Sequence, residues 1–525
     1  MNMLLKRAAF WVLLVLFIAG SIWWTLHVPY QPRKLLRAIP GHAVVVSMHD
    51  QLAGRLDEVV EHPFASLLIA VSGGSPGDVK ELLQDEGFRY IKNLVGERDL
   101  VMAYVPFLSS DAQGSWVFAG WIGGKSQRLR ITAPFLTIKD LRRLDNVGGW
   151  PVWTYVWSVD GQPQRLTMAL VEGMIIGVMA RDPRAIELLI DACNGAFPSM
   201  DSRHDLLFWT QSLMDSPRQD RFLFKQTSWP ESRYWLTEID LSDSEKLQAR
   251  VSTRSRGGVD FKEGLDVAGP ASFWGADAIT FGALESSLVR NILPHPEGNA
   301  PSAMFQELLA QANAPAVALG LFGGETSGRF RGIRVPTIMA GYFAGTQTDV
   351  KQDLLRLLDR WNARYRWGLV LAENRVNGRI VWRIESTADT AYAAIDPTEQ
   401  IAFTVDDGWV YISSNYKGLE SLLASRAMAR NAADQGFADV MQDHAGRGVG
   451  YFGMDMARGN DTLRLAISAY SLKLLFEDAQ GSRETRQKLN EAKAWLDMLA
   501  RFGSIHMRIS HEDEMYSFEV KTIKP

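Results

Sequence analysis

A 27-residue pattern that occurs twice constrains the fold of this chain more than any other feature. In Leu166–Ala192, an apolar strand, a Glu172-Gly173 turn and a second apolar strand lead into a helix that begins after Asp182. Asp is a favoured helix N-cap, and the proline that follows suits the first helical position. Ile401–Ala427 repeats this order about 235 residues later, with Asp407-Gly408 at the turn. We therefore expect two related halves.

Four shorter matches, in the same order along the chain, support this duplication. They pair Pro40–Val46 with Gly275–Phe281, Phe118–Trp121 with Met339–Tyr342, Ile239–Leu241 with Met454–Met456, and Lys246–Arg254 with Met515–Thr522. A chain of 525 residues is also too long for one hydrophobic core. We predict an anchor and linker over residues 1–37, a first repeat over 38–268, and a second repeat over 269–525 with a helical insertion around 457–501.

The order of the predicted elements indicates the fold class. Strands come in adjacent pairs joined by turns such as Asp160-Gly161 and Asn377-Gly378, and helices such as Asp349–Trp367 lie between groups of strands. This order favours α+β over a doubly wound parallel sheet. Each half is expected to be a curved, mostly antiparallel sheet with helices on one face.

The N-terminal region predicts a transmembrane helix. Ala8–Val28 is a 21-residue run without formal charge, preceded by Lys6 and Arg7. At 1.5 Å per residue it spans roughly 30 Å, the thickness of a bilayer's hydrocarbon core. Trp23 and Trp24 near its far end suit the headgroup region. The expected partner of this segment is the lipid bilayer.

The alternative is a cleaved signal peptide, with small residues at Ala19-Gly20-Ser21. The apolar run continues past that point, which favours an uncleaved signal-anchor. A short N-terminal tail before a single span usually stays in the cytoplasm. We therefore expect a single-pass protein of the bacterial inner membrane with its body in the periplasm.

Composition narrows the classes of function. A net charge of −4 gives no electrostatic basis for nucleic-acid binding. The single cysteine, Cys193, excludes an internal disulfide and a multi-cysteine metal site. The nine histidines are scattered, and the compact groups His49-Asp50 and His511–Glu514 are expected in turns or at the surface. No metal or cofactor site is expected.

Ser414 and Lys417 are the candidate catalytic residues. They have the Ser-x-x-Lys spacing that places a lysine one helical turn from a serine nucleophile in penicillin-recognising enzymes. The first copy has Ala180-Arg181-Asp182-Pro183 at this place, where the pattern serves helix capping. Capping is therefore the preferred interpretation here, and a serine hydrolase is the less favoured one.

Aromatic residues form the candidate binding surface. They are concentrated in one part of the first half and include Trp116, Trp121, Trp153, Tyr155 and Trp157. Such side chains can line an apolar groove or an interface hot spot. The structural alternative, burial of tryptophan between a sheet and its helices, is the commoner one.

Short motifs give the chain a resemblance to a known group of proteins. Pro40-x-x-Ala43 with an apolar strand, Val95–Leu100, and the strand-Gly-strand-helix unit resemble a bacterial family of membrane-anchored envelope proteins of unknown function. The resemblance implies a location and a fold type, and it supplies no catalytic residues. Our leading hypothesis is a non-enzymatic envelope protein that binds or scaffolds a partner. The alternative is a carrier or chaperone for a hydrophobic ligand such as lipid.

Overall fold

The structure, a computed structural model, describes the larger part of the chain: residues 11, 13–18, 27–71, 76–106, 114–132, 141–159, 162–226, 233–243, 245–254, 278–285, 316–326, 334–344, 349–387, 400–428, 450–477, 482–512 and 515–523. The chain forms two compact units. Unit 1 contains residues 1–244 and 249–253, and unit 2 contains residues 245–248 and 254–525. Both units combine helices with antiparallel sheet, as the α+β prediction requires.

Unit 1 is built from ten strands and eight helices within its described residues. The helices are α1 Arg33–Arg37, α2 Leu52–Glu61, α3 Pro63–Val71, α4 Pro76–Gln84, α5 Glu86–Val95, α6 Lys125–Thr132, α7 Ile186–Asn194 and α8 Leu207–Asp215. The strands are β1 Val45–His49, β2 Leu100–Val105, β3 Ser115–Trp121, β4 Leu141–Arg143, β5 Val152–Val159, β6 Gln162–Val171, β7 Met174–Met179, β8 Asp220–Gln226, β9 Arg233–Asp240 and β10 Gln248–Arg254. Their order in the sheet is β4-β5-β6-β7-β3-β2-β1-β8-β9-β10.

Unit 2 has the same strand order. Its strands are β11 Ala278–Glu285, β12 Ala316–Thr326, β13 Arg334–Phe343, β14 Leu369–Val376, β15 Arg379–Ser386, β16 Ala402–Asp406, β17 Trp409–Ser413, β18 Gly450–Asp455, β19 Ser504–Glu512 and β20 Met515–Ile523. Its helices are α9 Val350–Tyr365, α10 Tyr416–Met428, α11 Met456–Glu477 and α12 Ser482–Ala500. The sheet order is β14-β15-β16-β17-β13-β12-β11-β18-β19-β20, so the strands correspond one to one with those of unit 1.

Hairpin turns form where glycine follows an acidic residue or asparagine. Both central residues have positive φ at Glu172-Gly173 (44° and 88°), at Asn377-Gly378 (51° and 82°) and at Asp407-Gly408 (47° and 78°). Positive φ at both positions defines the type I′ turn, whose twist matches that of the flanking strands. These three predicted turns are therefore observed, while Asp160-Gly161 lies outside the described residues.

Side-chain caps start the helices where the sequence indicates. The Asp349 carboxylate accepts from the Gln352 backbone N–H at 3.2 Å, and the predicted helix is observed as α9. Asp85 caps α5 in the same way by accepting from the Phe88 N–H at 2.9 Å. Asp182 precedes a short 3-10 turn that leads into α7.

Helices lie on both faces of the sheet in unit 2, so the expectation of helices on one face is wrong. Successive residues of β17 point to opposite faces. Val410 and Ile412 pack in one core cluster with α9, whereas Tyr411 packs in a second cluster with Leu419 of α10. All five residues of β17 are buried. A strand that is apolar on both sides needs cover on both faces.

The helical insertion of unit 2 consists of α11 and α12. It lies between β18 and β19 and buries Met454, Met456 and Ile505 against Leu463, Leu496 and Leu499. Of the chain after it, only Met515–Thr522 was matched to a strand of the first half. The structure has a hairpin there, because Ser504–Glu512 pairs antiparallel with Met515–Ile523.

The strand order also locates the short sequence matches. Most of them occupy corresponding strands, but Ile239–Leu241 lies at the end of β9 whereas Met454–Met456 lies at the end of β18, the counterpart of β8. Phe118–Trp121 is matched one residue out of register. Trp121 pairs with Met174, the first residue of β7. The first residue of the corresponding strand β17 is Trp409, and it pairs with Phe343 rather than with Tyr342.

The predicted membrane span, Ala8–Val28, lies mostly outside the described residues. Among the residues that are described, no helix is long and apolar enough to cross a membrane. Residues 11 and 13–18 are helical. Their exposed large apolar side chains are Trp11, Leu13, Val15, Leu16, Phe17 and Ile18.

Candidate binding surface

A row of apolar side chains crosses nine strands of the unit 1 sheet. Residues that lie directly opposite each other on antiparallel strands share a face. Taken in the order of the strands in the sheet, from β4 to β9, the residues that pair with one another across neighbouring strands are Leu141, Tyr155, Leu166, Met179, Trp116, Tyr104, Val45, Phe224 and Trp235. We call these nine residues the aromatic row. The sheet thus presents a continuous apolar band.

Burial differs along the aromatic row. Tyr155 and Leu166 are each only 3% exposed, whereas Met179 is 38% exposed. Trp116, Tyr104 and Phe224 are half-buried. The Tyr104 and Trp116 rings pack edge to face with their centroids 5.5 Å apart. The middle of the row is therefore a partly open aromatic surface on a rigid sheet.

A second set of rings on the same face widens this surface. Phe222 stacks on Phe224 with the ring centroids 6.1 Å apart. Phe118 lies against Gly177 on the neighbouring strand, where an added Cβ would approach its ring to 2.3 Å. Glycine at this position makes room for the ring to lie flat against the strand.

Four of the five predicted aromatic residues lie on this face, and one does not. Trp116, Trp153, Tyr155 and Trp157 share the face through the strand registers, and Tyr155 stacks on Trp157 at 5.8 Å. Trp121 is five positions from Trp116 in β3 and points to the opposite face. It is 1% exposed and belongs to the core.

An apolar cavity lies at the buried end of this face. Trp153 lines it together with Tyr90, Ile91, Leu94, Leu129, Leu141, Met168, Leu170 and Ile175. Its cavity volume is about 50 Å³. Ligand pockets commonly have volumes of about 300–1,000 Å³, so this cavity is small. Its apolar lining suits a small apolar group, such as one end of a hydrocarbon chain.

Ser414 and Lys417 belong to a strand-to-helix junction. The Ser414 hydroxyl oxygen accepts from the Ile338 N–H at 3.0 Å, and the Lys417 side chain is exposed. Asn415 is the N-cap of α10, since its side-chain oxygen accepts from the Gly418 N–H at 2.5 Å. The Ser-x-x-Lys spacing therefore coincides with helix capping.

The sequence analysis missed a buried polar network at one end of the unit 1 strands. Asp220 is fully buried, and its carboxylate contacts His49 Nδ1 at 2.8 Å. Both terminal nitrogens of Arg55 donate to the same carboxylate at 3.0 Å. Arg221, which is 3% exposed on its side chain, pairs with Asp50. His49 was expected in a turn or at the surface, but it lies buried in β1.

Electrostatics in the network favour charged Asp220. Burial raises the pKa of the Asp220 carboxyl, but the hydrogen bonds from His49 and Arg55 more than offset this, so its pKa lies below the ordinary value. Burial also raises the pKa of Asp99, and the charge of Arg221 only partly opposes the rise. The pKa values of Asp220 and Asp99 are thus shifted in opposite directions.

The network ties α2 to the sheet. Arg55 belongs to α2, whereas His49 and Asp220 lie on the adjacent strands β1 and β8. A histidine held by a carboxylate can serve as a general base. Within the described part of the chain, however, the only recorded hydrogen bond of the His49 ring is to Asp220. The arrangement therefore accounts for the packing of α2 on the sheet.

Unit 2 carries no counterpart of this buried pair. Where His49 opposes Asp220 in unit 1, Leu284 opposes Gly450 on the corresponding strands. At these positions the charged pair is thus present in unit 1 and replaced by Leu284 and Gly450 in unit 2. Among the described residues, no three His, Cys, Asp or Glu side chains converge to hold a metal ion.

Comparison of the chain with protein-family models, with curated proteins and with solved structures found no match.

Proposed function

We propose that this chain is a non-enzymatic binding or scaffold protein of the bacterial envelope, anchored in the inner membrane with its two units in the periplasm. The aromatic row of unit 1 is the proposed binding surface. The observation that carries the proposal is the run of half-buried Trp116, Tyr104 and Phe224 beside the exposed Met179. Aromatic residues and methionine are enriched at protein interfaces.

Comparison with unit 2 supports this choice of surface. The corresponding row there contains Ile338, Leu321, Thr280, Met454 and Ile505. The α11–α12 pair covers one end of it, and Met454 and Ile505 are 8% and 9% exposed. In unit 1 only residues 227–232 connect the two corresponding strands. An insertion as long as α11–α12 is therefore particular to unit 2, which supports docking of a partner on this face of unit 1.

We also infer that the two units are tandem copies of one ancestral half. The identical order of ten strands supports this, as do the matching turns at Glu172-Gly173 and Asp407-Gly408. The inferred copies then diverged, one by gaining a helical pair and the other by gaining a buried charge network. Divergence of this kind supports a division of roles in which unit 1 binds the partner and unit 2 stabilises the protein.

The anchor is supported by the apolar run Ala8–Val28 and by the exposed apolar side chains between residues 11 and 18. Six large apolar side chains exposed on one short helical stretch would be costly in water, at about 25 cal/mol for each Å² of apolar surface. A bilayer removes that cost.

A photo-crosslinking amino acid at Met179 tests the binding surface. The full chain is expressed in a bacterial envelope, irradiated and analysed by mass spectrometry. The matched control places the same probe at Glu187, which is exposed on α7. A protein adduct formed at position 179 and absent at 187 is expected. Equal labelling at both positions, or no adduct at 179, would contradict the proposed surface.

The apolar lining of the small cavity around Trp153 favours one alternative, a carrier for a hydrophobic ligand such as lipid. Native mass spectrometry of the purified full chain would then show bound lipid, and L129W, which fills the cavity, would abolish it. A wild-type chain without bound lipid removes this alternative and leaves the scaffold proposal intact.

A further inference from the structure

The chain that follows the proposed anchor is packed against unit 1. An added Cβ on Gly173 would lie 2.7 Å from Cγ1 of Val28, so Val28 contacts the β6–β7 turn directly. The Tyr30 ring packs edge-on against Trp121 with the centroids 5.7 Å apart. The guanidinium of Arg98 lies 5.6 Å from the centre of the Tyr30 ring. The last residue of the apolar run thus already contacts the folded body.

Helix α1 then fixes this segment to the body. Leu35, Leu36 and Ile39 are fully buried. The Met200 N–H donates to the Ile39 carbonyl at 2.9 Å, and the Gly41 N–H donates to the Pro198 carbonyl at 2.9 Å. Three buried apolar side chains and two long-range backbone hydrogen bonds hold the segment in one orientation. A flexible spacer is therefore absent between Val28 and Gly41, a range that the structure describes throughout.

Because the segment after the proposed anchor is fixed to unit 1, it determines which end of unit 1 faces the membrane. The exposed apolar residues extend to Ile18, and Val28 is ten residues further along the chain. Val28 is also the last residue of the uncharged run that forms the proposed anchor. We propose that the Glu172-Gly173 turn and the adjoining end of β3 lie on the bilayer surface, with the strands pointing away from it. This inference rests on the membrane anchor of the proposed function.

The charges at this edge suit a lipid headgroup layer. Arg33 and Arg37 share the single carboxylate of Asp201, and their side chains are 58% and 55% exposed. Lys34 pairs with Glu172 at 2.8 Å, and Arg98 is exposed beside Tyr30. Among these side chains four cations face two carboxylates, while Glu97 beside Arg98 is paired with Lys125. Uncompensated basic side chains are attracted to anionic headgroups, so the edge favours contact with acidic phospholipid.

Site-specific quenching tests the proposed orientation. The sole cysteine is first replaced in C193A, and E172C and R181C then each carry one environment-sensitive fluorophore. Positions 172 and 181 lie beyond opposite ends of β7, six residues that span roughly 20 Å. The full chain is reconstituted in vesicles of phosphatidylethanolamine and phosphatidylglycerol that contain a headgroup-nitroxide lipid. We expect at least threefold stronger quenching at 172 than at 181.

Carbonate extraction and fluorescence quenching test the anchor and the orientation independently. Retention of the chain in carbonate-washed vesicles together with equal quenching at 172 and 181 would overturn the orientation and leave the anchor standing. Release by carbonate would remove the anchor, the proposed function and the orientation together. The same pair of labels in detergent micelles without nitroxide provides the baseline, and circular dichroism of both variants confirms that each is folded.

Discussion

Removing the Asp220 carboxylate should destabilise unit 1 far more than removing a surface carboxylate. Asp220 is 0% exposed and makes three hydrogen bonds, one with His49 and two with Arg55. In D220A these donors stay buried without their acceptor. Breaking a buried ion pair by removing one partner costs about 3–5 kcal/mol, a large part of the roughly 5–15 kcal/mol that keeps a domain folded.

The matched control is D57A, also in unit 1. Asp57 pairs with Lys92 at 3.4 Å, but its side chain is 75% exposed. Exposed ion pairs contribute at most about 1 kcal/mol. Urea unfolding of both variants, followed by far-ultraviolet circular dichroism, measures the two losses. Similar losses below about 1 kcal/mol in both would refute the role assigned to the buried network.

Acid provides a second test of the same network. The pKa of Asp220 in the folded protein is below its ordinary value, so its stabilisation is complete above the unfolded-state pKa of about 4. That stabilisation is lost as the pH falls through the lower, folded-state pKa. The difference in stability between the wild type and D220N should therefore be constant from pH 7 to about pH 5 and shrink below about pH 4. A difference that grows on acidification would contradict this sign.

Four further substitutions test local features. G418A should lower the free energy of unfolding by about 1–3 kcal/mol, because the new Cβ would lie 2.2 Å from Oγ1 of Thr337; an unchanged urea midpoint would count against this packing. N415A removes the N-cap of α10 and should lower the free energy of unfolding by about 1 kcal/mol. K417A, at an exposed position two residues further on, should change it by less than about 0.5 kcal/mol. Labelled penicillin should react with neither of these two variants. Y155F removes the hydrogen bond that its hydroxyl donates to the α5 cap at 2.7 Å and should cost about 1–2 kcal/mol in a thermal melt.

Local features of the fold were predictable from the sequence. The turns at Glu172-Gly173 and Asp407-Gly408 and the cap at Asp349 depend on residues only a few positions apart. Backbone strain and short-range hydrogen bonds dominate there. The helical insertion was equally visible, because helical spacing of apolar residues is itself a local signal.

Register and long-range pairing were not predictable in this way. The match of Phe118–Trp121 was one residue out of register, and in a strand one residue reverses the face of every side chain. Trp121 was accordingly grouped with Trp116, although it points to the other side of the sheet. His49 and Asp220 are separated by 171 positions, and nothing local in either segment indicates the other.

The aromatic row illustrates the same limit at the binding surface. The sequence identified Trp116 and Tyr155 as surface candidates from their crowding along the chain. Tyr104 and Phe224 were not selected, because they join the row only through the pairing of β2, β1 and β8. A sheet assembles its faces from strands that are far apart in the chain, so the extent of such a surface becomes visible only with the registers.

The side of the membrane on which the two units lie tests the central claim most directly. Alkaline phosphatase or a fluorescent protein that folds only in the cytoplasm is fused after Pro525 of the full chain and expressed in a bacterium. The account predicts an active phosphatase and no fluorescence, with both fusions retained in the membrane fraction. Fluorescence with an inactive phosphatase would place the units in the cytoplasm and contradict the account.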